Sequence, residues 1–264
     1  MRRGACNRTL SPDGDDEDEI EFEDGGMKLT ILGKYGPYPR RGGATTSYLI
    51  ECGGKRVLLD AGSGSLSRLQ QFCALDDLDL IVLTHLHSDH CSDMFVLRYA
   101  LKDKLLPVLL PHTPEKEYGI LHACPCFEAM EISESLDFTI PETNVKLSFC
   151  RTIHPVECYA VKFREGQDSF VFSGDSRYTD HLTDFCSGAV TFLCDSGFLS
   201  AEENTGALPH MYVREAAFTA RRAGVGRLLL THINPSYEEE MLLSEAAEVF
   251  RPVEIVEEMK QYHI

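Results

Sequence analysis

The order of elements along the chain predicts an α/β fold: a four-layer αββα sandwich, two sheets packed together with helices outside. Two observations carry this. Strand-rich and helix-containing stretches alternate twice along 264 residues, a length able to bury a large core. Metal-capable polar residues also recur directly after apolar strand runs, so strand ends converging on one rim would gather them.

The bulk properties narrow the classes. A net charge of −17 disfavours broad electrostatic attachment to nucleic acid or an anionic membrane. No stretch approaches the roughly 18–20 apolar residues of a membrane span, so no membrane partner is expected. Arg2 and Arg3 have no apolar stretch after them, unlike a secretory signal. The ten cysteines are therefore expected as reduced thiols in the cytoplasm. Residues 1–26 stand apart, with an acidic run through Asp13, Asp15 to Glu19, Glu21, Glu23 and Asp24. Self-repulsion predicts a disordered extension or a start set upstream of Met27, with no part in the chemistry. The domain proper is expected over 27–264.

Within it, 28–32 reads as a strand ending at Gly33, followed by a loop with Gly36-Pro37-Tyr38-Pro39 and the cations Lys34, Arg40 and Arg41. Strands 45–51 and 55–60 meet across Gly53-Gly54, a hairpin signal. The turn Asp60-Ala61-Gly62-Ser63-Gly64 lacks the Gly-Lys-Ser/Thr ending of a phosphate loop and is read as a tight turn packed beneath the histidine-rich segment 84–90. A helix is expected near 65–72, a buried strand at 78–83 and a helix over 92–101. Next come strand 105–110 and helix 114–122. His122-Ala123-Cys124-Pro125-Cys126 has soft-metal residues but neither Cys-x-x-Cys spacing nor a second pair, so a metal reading is weak. Runs 145–152, 158–164, 169–172 and 189–194 read as strands. Helix 211–223, strand 227–230, helix 238–250 and a short strand near 254–256 complete the series.

The chemistry centres on Thr84-His85-Leu86-His87-Ser88-Asp89-His90 at the end of the 78–83 strand. Three histidines and a carboxylate crowd a strand-to-helix turn, where backbone curvature can aim alternate side chains at one point. Imidazole with carboxylate suits zinc and other divalent transition metals. His154, Asp175 and His232 each follow a further apolar run. Any one alone would more often be a surface or capping residue; the repetition is what carries weight.

With these motifs the chain, over 27–264, resembles metallo-β-lactamase-fold hydrolases, in particular the ribonuclease Z branch and its small arm-less relatives. Ser173-Gly174-Asp175-Ser176-Arg177 looks like the bridging-aspartate motif of that branch, and Thr231-His232-Ile233-Asn234-Pro235 is similar to its last histidine motif. His210 stands where the branch carries a histidine opening a helix, and Asp195 where it carries an acidic partner. The resemblance implies two divalent metal ions, zinc first, with manganese or iron as alternatives. His85, His87 and His154 would hold one, Asp89, His90 and His232 the second, with Asp175 bridging and a hydroxide between the ions. Asp89 would belong to the catalytic set as well as to the ligands. Asp60 would orient a ligand from behind. His210 would face substrate and protonate the leaving oxygen, oriented by Asp195. Read on their own, His210 is a solvent-facing residue at a helix start and Asp195 a turn residue.

Ribonuclease Z inserts an arm that grips transfer RNA between the third histidine motif and the bridging aspartate. Here only 20 residues separate His154 from Asp175, and two expected strands occupy them. The first reading is therefore a phosphodiesterase acting on small phosphodiesters or short nucleic acid, with Arg40, Arg41 and Arg177 as candidate phosphate contacts and Lys34 expected with them near the rim of the site. Ribonuclease Z-type 3′ processing of transfer RNA is the alternative. Hydrolysis of a thioester by a glyoxalase II-like enzyme is a third, disfavoured because no added C-terminal helical domain is read. A homodimer is left open. A non-enzymatic binding module predicts gaps in the ligand set, and none is found.

Overall fold

The computed structural model describes residues 26–101, 104–200 and 208–264; the acidic segment 1–26, Gly26 aside, lies outside them. The first half begins with β1 (Lys28–Gly33), β2 (Ser47–Cys52) and β3 (Lys55–Ala61), then α1 (Ser65–Leu69) and β4 (Leu80–Val82). It continues through α2 (Ser88–Cys91), α3 (Met94–Leu97), β5 (Leu106–Leu110), α4 (Glu115–His122) and β6 (Phe127–Glu131). The second half holds β7 (Phe138–Thr139), β8 (Lys146–Arg151), β9 (Tyr159–Glu165), β10 (Asp168–Phe172), α5 (Asp180–Phe185) and β11 (Thr191–Asp195). After α6 (Val213–Ala223), β12 (Arg227–Thr231), α7 (Glu239–Ala247) and β13 (Val253–Ile255), the chain returns as β14 (Gln261–His263).

Two seven-stranded sheets result, ordered β14-β1-β2-β3-β4-β5-β6 and β13-β12-β11-β10-β9-β8-β7. In the first, β3 to β6 run parallel and the rest antiparallel. In the second, β10 to β13 run parallel and β7 to β10 antiparallel. The β2–β3 hairpin turns on Gly53 and Gly54 at φ of 56° and 74°, the doubly left-handed geometry that favours glycine.

Side-chain alternation sorts the apolar residues into layers. Leu29, Ile31, Tyr48, Ile50, Val57, Leu59, Leu80 and Val82 of the first sheet meet Val161, Phe163, Phe170, Phe172, Leu193 and Leu229 of the second. Their strand neighbours point the other way. Leu49, Leu58, Ile81 and Val108 pack with Leu66, Leu69, Met94 and Leu121 of the first helical layer. Ala160, Val171, Phe192, Leu228 and Leu230 pack with Leu182, Ala216, Ala220 and Leu242 of the second. Three apolar interfaces make four layers, the expected αββα sandwich. Burial on both faces explains why these strands read as nearly continuous apolar runs.

Several elements differ from expectation. The helix expected over 92–101 is cut to the single turn α3, with α2 a separate turn before it. The Asp93 amide donates to the Ala61 carbonyl at 2.9 Å and parts the two turns, and beyond Leu97 the Tyr99 and Ala100 amides bond back three residues, to Val96 and Leu97, instead of four. The Asp93 carboxylate then accepts from the Leu66 amide and Ser65 hydroxyl at the start of α1. The 65–72 helix is shorter, ending at Leu69. β6, β7, α5 and β14 have no counterpart in the sequence reading: all four are short, and the three strands lie at sheet edges, each paired on one side only.

Phe163 is fully buried between the sheets, its ring 6.0 Å from that of Phe170. Phe163→Ala is expected to cost about 3–5 kcal/mol. Urea denaturation should show a lowered midpoint with an unchanged m-value.

Candidate metal centre

The site forms where strand ends of both sheets meet. Thr84 and His85 lie just beyond β4, and the Thr84 carbonyl accepts from the Tyr159 amide of β9 at 3.0 Å. Nearby, the Tyr48 and Thr231 hydroxyls, on β2 and β12, are 2.7 Å apart. These two contacts stitch the sheets together beside the histidines.

Asp60, at the end of β3, anchors the histidine loop from below. It is fully buried, and its carboxylate accepts from the Thr84 amide at 2.7 Å, the Thr84 hydroxyl at 2.9 and 3.1 Å, and His90 Nδ1–H at 2.7 Å. Burial raises its pKa, with His90 and the Thr84 donors pulling against it. The turn after it also lies under the loop, since a Cβ on Gly62 would fall 2.2 Å from the Asp89 carbonyl. Asp60 and His232 both hold positive φ, 57° and 54°, a strain on the order of 1–2 kcal/mol for a residue with a side chain.

The hydrogen bonds set the tautomers. The Thr84 hydroxyl gives its proton to Asp60, so His85 Nδ1–H donates to Thr84 Oγ1 at 3.2 Å and leaves the Nε2 lone pair inward. His154 donates Nδ1–H to the Pro209 carbonyl at 3.1 Å, likewise freeing Nε2. His87 Nδ1 sits 3.1 Å from His85 Nε2 and 3.0 Å from His154 Nε2. Three imidazole nitrogens thus converge with Asp175, all four ligand atoms lying within 4.8 Å of one another. Burial, above all, lowers the pKa of His85, His87 and His154, keeping them neutral as metal ligands must be.

Asp89, His90 and His232 form a second group of the same tightness. His232 Nε2 is 3.2 Å from Asp89 Oδ2. Between the groups stands Asp175, with Oδ2 3.5 Å from both His85 Nε2 and His232 Nε2, and Oδ1 3.3 Å from His90 Nε2. Its Ser173-Gly174-Asp175 turn needs glycine. Gly174 has φ 56°, and a Cβ there would lie 2.8 Å from the Tyr159 carbonyl oxygen. Burial disfavours the charged forms of His90 and His232, yet the surrounding carboxylates prevail and push His90 up to about 10 and His232 well up. The residues fit a pair of divalent cations: His90 Nε2 and Asp175 Oδ1 are buried without a hydrogen-bond partner and face each other.

His210 Nδ1–H donates to Asp195 Oδ2 at 2.8 Å, and its ring stacks on His232 at 4.9 Å and 20°. Asp195 Oδ1 also lies 3.4 Å from His232 Nδ1, so the carboxylate hydrogen-bonds one imidazole and faces a second, whereas the motifs pair it with His210 alone. Asp175, Asp195, His210 and His232 form a further close group. Phe198, unmarked in sequence, stands 5.6 Å from the His210 ring.

The cations fare differently. Lys34, expected at the rim, is buried and paired with Glu239 at 2.8 Å. Arg40 and Arg41 are exposed on the loop after β1, with Arg40 beside Tyr35. Arg177 Nε donates to the Leu208 carbonyl at 2.8 Å, two residues before His210. Gly36 is the residue sequence reasoning missed most plainly. A Cβ there would fall 2.0 Å from His232 Nε2, and nothing but its place in a Gly-Pro loop marks it in the sequence.

Fold and site together define a metal-dependent hydrolase of the metallo-β-lactamase fold, which implies divalent metal ions. The family model "Beta-lactamase superfamily domain" matches residues 55–233, and the chain belongs to that superfamily. It is 32% identical over 232 residues to the probable metallo-hydrolase YhfI of Bacillus subtilis, covering 85% of this chain and 94% of that protein. The crystal structure of YhfI superposes with a TM-score of 0.85, covering 90% of this chain and 100% of that one. Ribonuclease Z of Mycobacterium bovis is 27% identical over 278 residues, covering 90% and 98%. The short form of human tRNase Z, at 18% identity and a TM-score of 0.72 over 90% and 99% of the chains, shares the fold. Among the described residues no helix is long and apolar enough to cross a membrane.

Gly36→Ala is expected to push His232 off its position. Metal analysis of the purified variant should show roughly half the wild-type content, with the thermal midpoint changed far less than turnover.

Proposed function

We propose that the chain is a two-metal phosphodiesterase acting on small phosphodiesters or short single-stranded nucleic acid. The observation that carries this is the His210–Asp195 pair beside the ligand groups. His85, His87 and His154 would hold one ion, Asp89, His90 and His232 the other, with Asp175 shared. Zinc is the first choice and manganese or iron the alternatives. Bound there, the ions supply an activated water near neutral pH and Lewis-acid polarisation of the phosphoryl oxygen.

The chain's own residues do the rest. With Nδ1 committed to Asp195, His210 has Nε2 left to meet substrate. Burial works against its charge, but Asp195 first and Asp175 next outweigh burial and raise its pKa, which favours the protonated form that a donor to the departing alkoxide needs. Arg177, through the Leu208 carbonyl, holds the chain that leads into His210. Arg40 and Arg41, on the loop that carries Gly36, are the candidates for a second phosphate oxygen.

The likeness to ribonuclease Z favours one other reading, 3′ processing of precursor transfer RNA. Against it, the 20 residues between His154 and Asp175 run through β9 and β10, which pair in register from Glu165–Asp168 to Val161–Phe172. That leaves no segment for an arm. A chain of net charge −17 would also repel a large polyanion held by a few cations.

His210→Ala is expected to keep its metal and lose turnover by about 10²–10⁴-fold; loss of an ion would instead make His210 a ligand. Substrate class is decided by kcat/KM for precursor transfer RNA beside bis(p-nitrophenyl) phosphate and a cyclic nucleotide, at one metal and one salt concentration. Small diesters should win. Preferential cutting of the precursor at one site after the discriminator base would establish the other reading.

A further inference from the structure

Cys124 and Cys126 flank Pro125 in the connection between α4 and β6, on the outer side of the first sheet, and neither belongs to the metal centre. Their sulfurs are 2.9 Å apart. That is inside the ~3.5–4.0 Å at which non-bonded heavy atoms settle and about 0.9 Å longer than a disulfide bond. Each residue is nearly buried, at 9% and 8% exposure. Both line a cavity of about 940 Å³ whose wall includes Arg98, Tyr99, Leu105 and Ile120. Tyr99 and Leu105 are 70% and 58% exposed, so the wall offers apolar surface to a visitor. The Arg98 guanidinium lies on the same wall, its Nη2 donating to the exposed Tyr99 hydroxyl at 2.7 Å, a cation suited to a carboxylate. Cys126 Sγ also lies 3.8 Å from the Arg98 carbonyl, so the Cys124 thiol is the one that faces the neighbouring sulfur.

We propose that Cys124 and Cys126 form a redox-active dithiol, oxidised to an intramolecular disulfide by a small carboxylate-bearing disulfide that enters this cavity. One sulfur, as thiolate, attacks the visiting disulfide; its S–S bond breaks and the first small thiol leaves, taking up a proton. The second cysteine sulfur, losing its own proton, attacks the mixed disulfide and expels the second small thiol. Two electrons pass from the protein to the visitor, and both thiol protons end on the two small thiols. A linear two-sulfur metal site is disfavoured, because it needs the sulfurs farther apart than 2.9 Å. Burial and the Cys124 thiol push Cys126 up to about 12, with Arg98 pulling against them. Cys126 therefore keeps its proton until the second step, and the first attack falls to Cys124.

The test is direct, because cleavage after Lys116 and Lys146 releases a peptide, 117–146, holding these two cysteines and no others. The full chain is equilibrated with glutathione disulfide, its free thiols are alkylated under denaturing conditions, and the peptide is weighed. The expected product carries no alkyl group, is lighter than the dithiol by two hydrogens, and returns to the dithiol with dithiothreitol. In Cys126→Ser the same treatment should leave one glutathionyl group on Cys124. Full alkylation of both cysteines in the wild-type peptide overturns the proposal, as does a stable glutathionyl adduct there or a bridge to any other cysteine.

Discussion

Asp175 is the point on which the site depends. It is a fully buried carboxylate at the seam of two sheets, and five imidazoles face it within 3.8 Å: His85, His90, His154, His210 and His232. Burial alone would hold such a group neutral, yet the ring of nitrogen partners keeps its pKa well below the usual carboxylate range. A buried negative charge of this kind needs compensating positive charge. The ligand groups on its two sides are where cations can supply it. The Thr152 hydroxyl, donating to its backbone carbonyl at 2.8 Å, fixes where it can reach.

Around that point the architecture behaves as a clamp. Parallel strands of each sheet deliver Asp60, Thr84, Asp175, Asp195 and His232 from their ends, the place where open α/β sheets gather functional groups. The loop between β1 and β2 closes over one side. Two ion pairs hold it there: Lys34 with Glu239, and Arg68 with Glu258, whose carboxylate also accepts from the Ala44 amide. Backbone pairing of Lys34 and Gly36 with Ile233 ties the loop to the residue after His232. Gly36 and His232 are thus parts of one device, in which a missing side chain makes room for an imidazole.

The histidine motif, the strand ends that carry acids and imidazoles, and the layer order were legible because they rest on local pattern. Apolar runs buried on both faces announce strands, and residue chemistry announces ligands. The shorter pieces were not legible. β6, β7 and β14 are strands only because another strand lies beside them, and their own residues state no preference strong enough to show it. The 92–101 helix was overread for a related reason: the Asp93 amide is held by Ala61, more than thirty residues away, which parts α2 from α3 and leaves only a single turn of the expected helix.

The sequence by itself therefore determined the αββα order, the metal-capable residues and the want of room for an inserted arm between His154 and Asp175. The tertiary structure alone decided that Lys34 is bound to Glu239 and absent from the rim, that Asp195 serves both His210 and His232, and that Gly36 must have no side chain. Each of these is a contact between residues far apart in the chain, where local periodicity and composition carry no information. Only the packing of one sheet against the other brings such residues within a few ångströms.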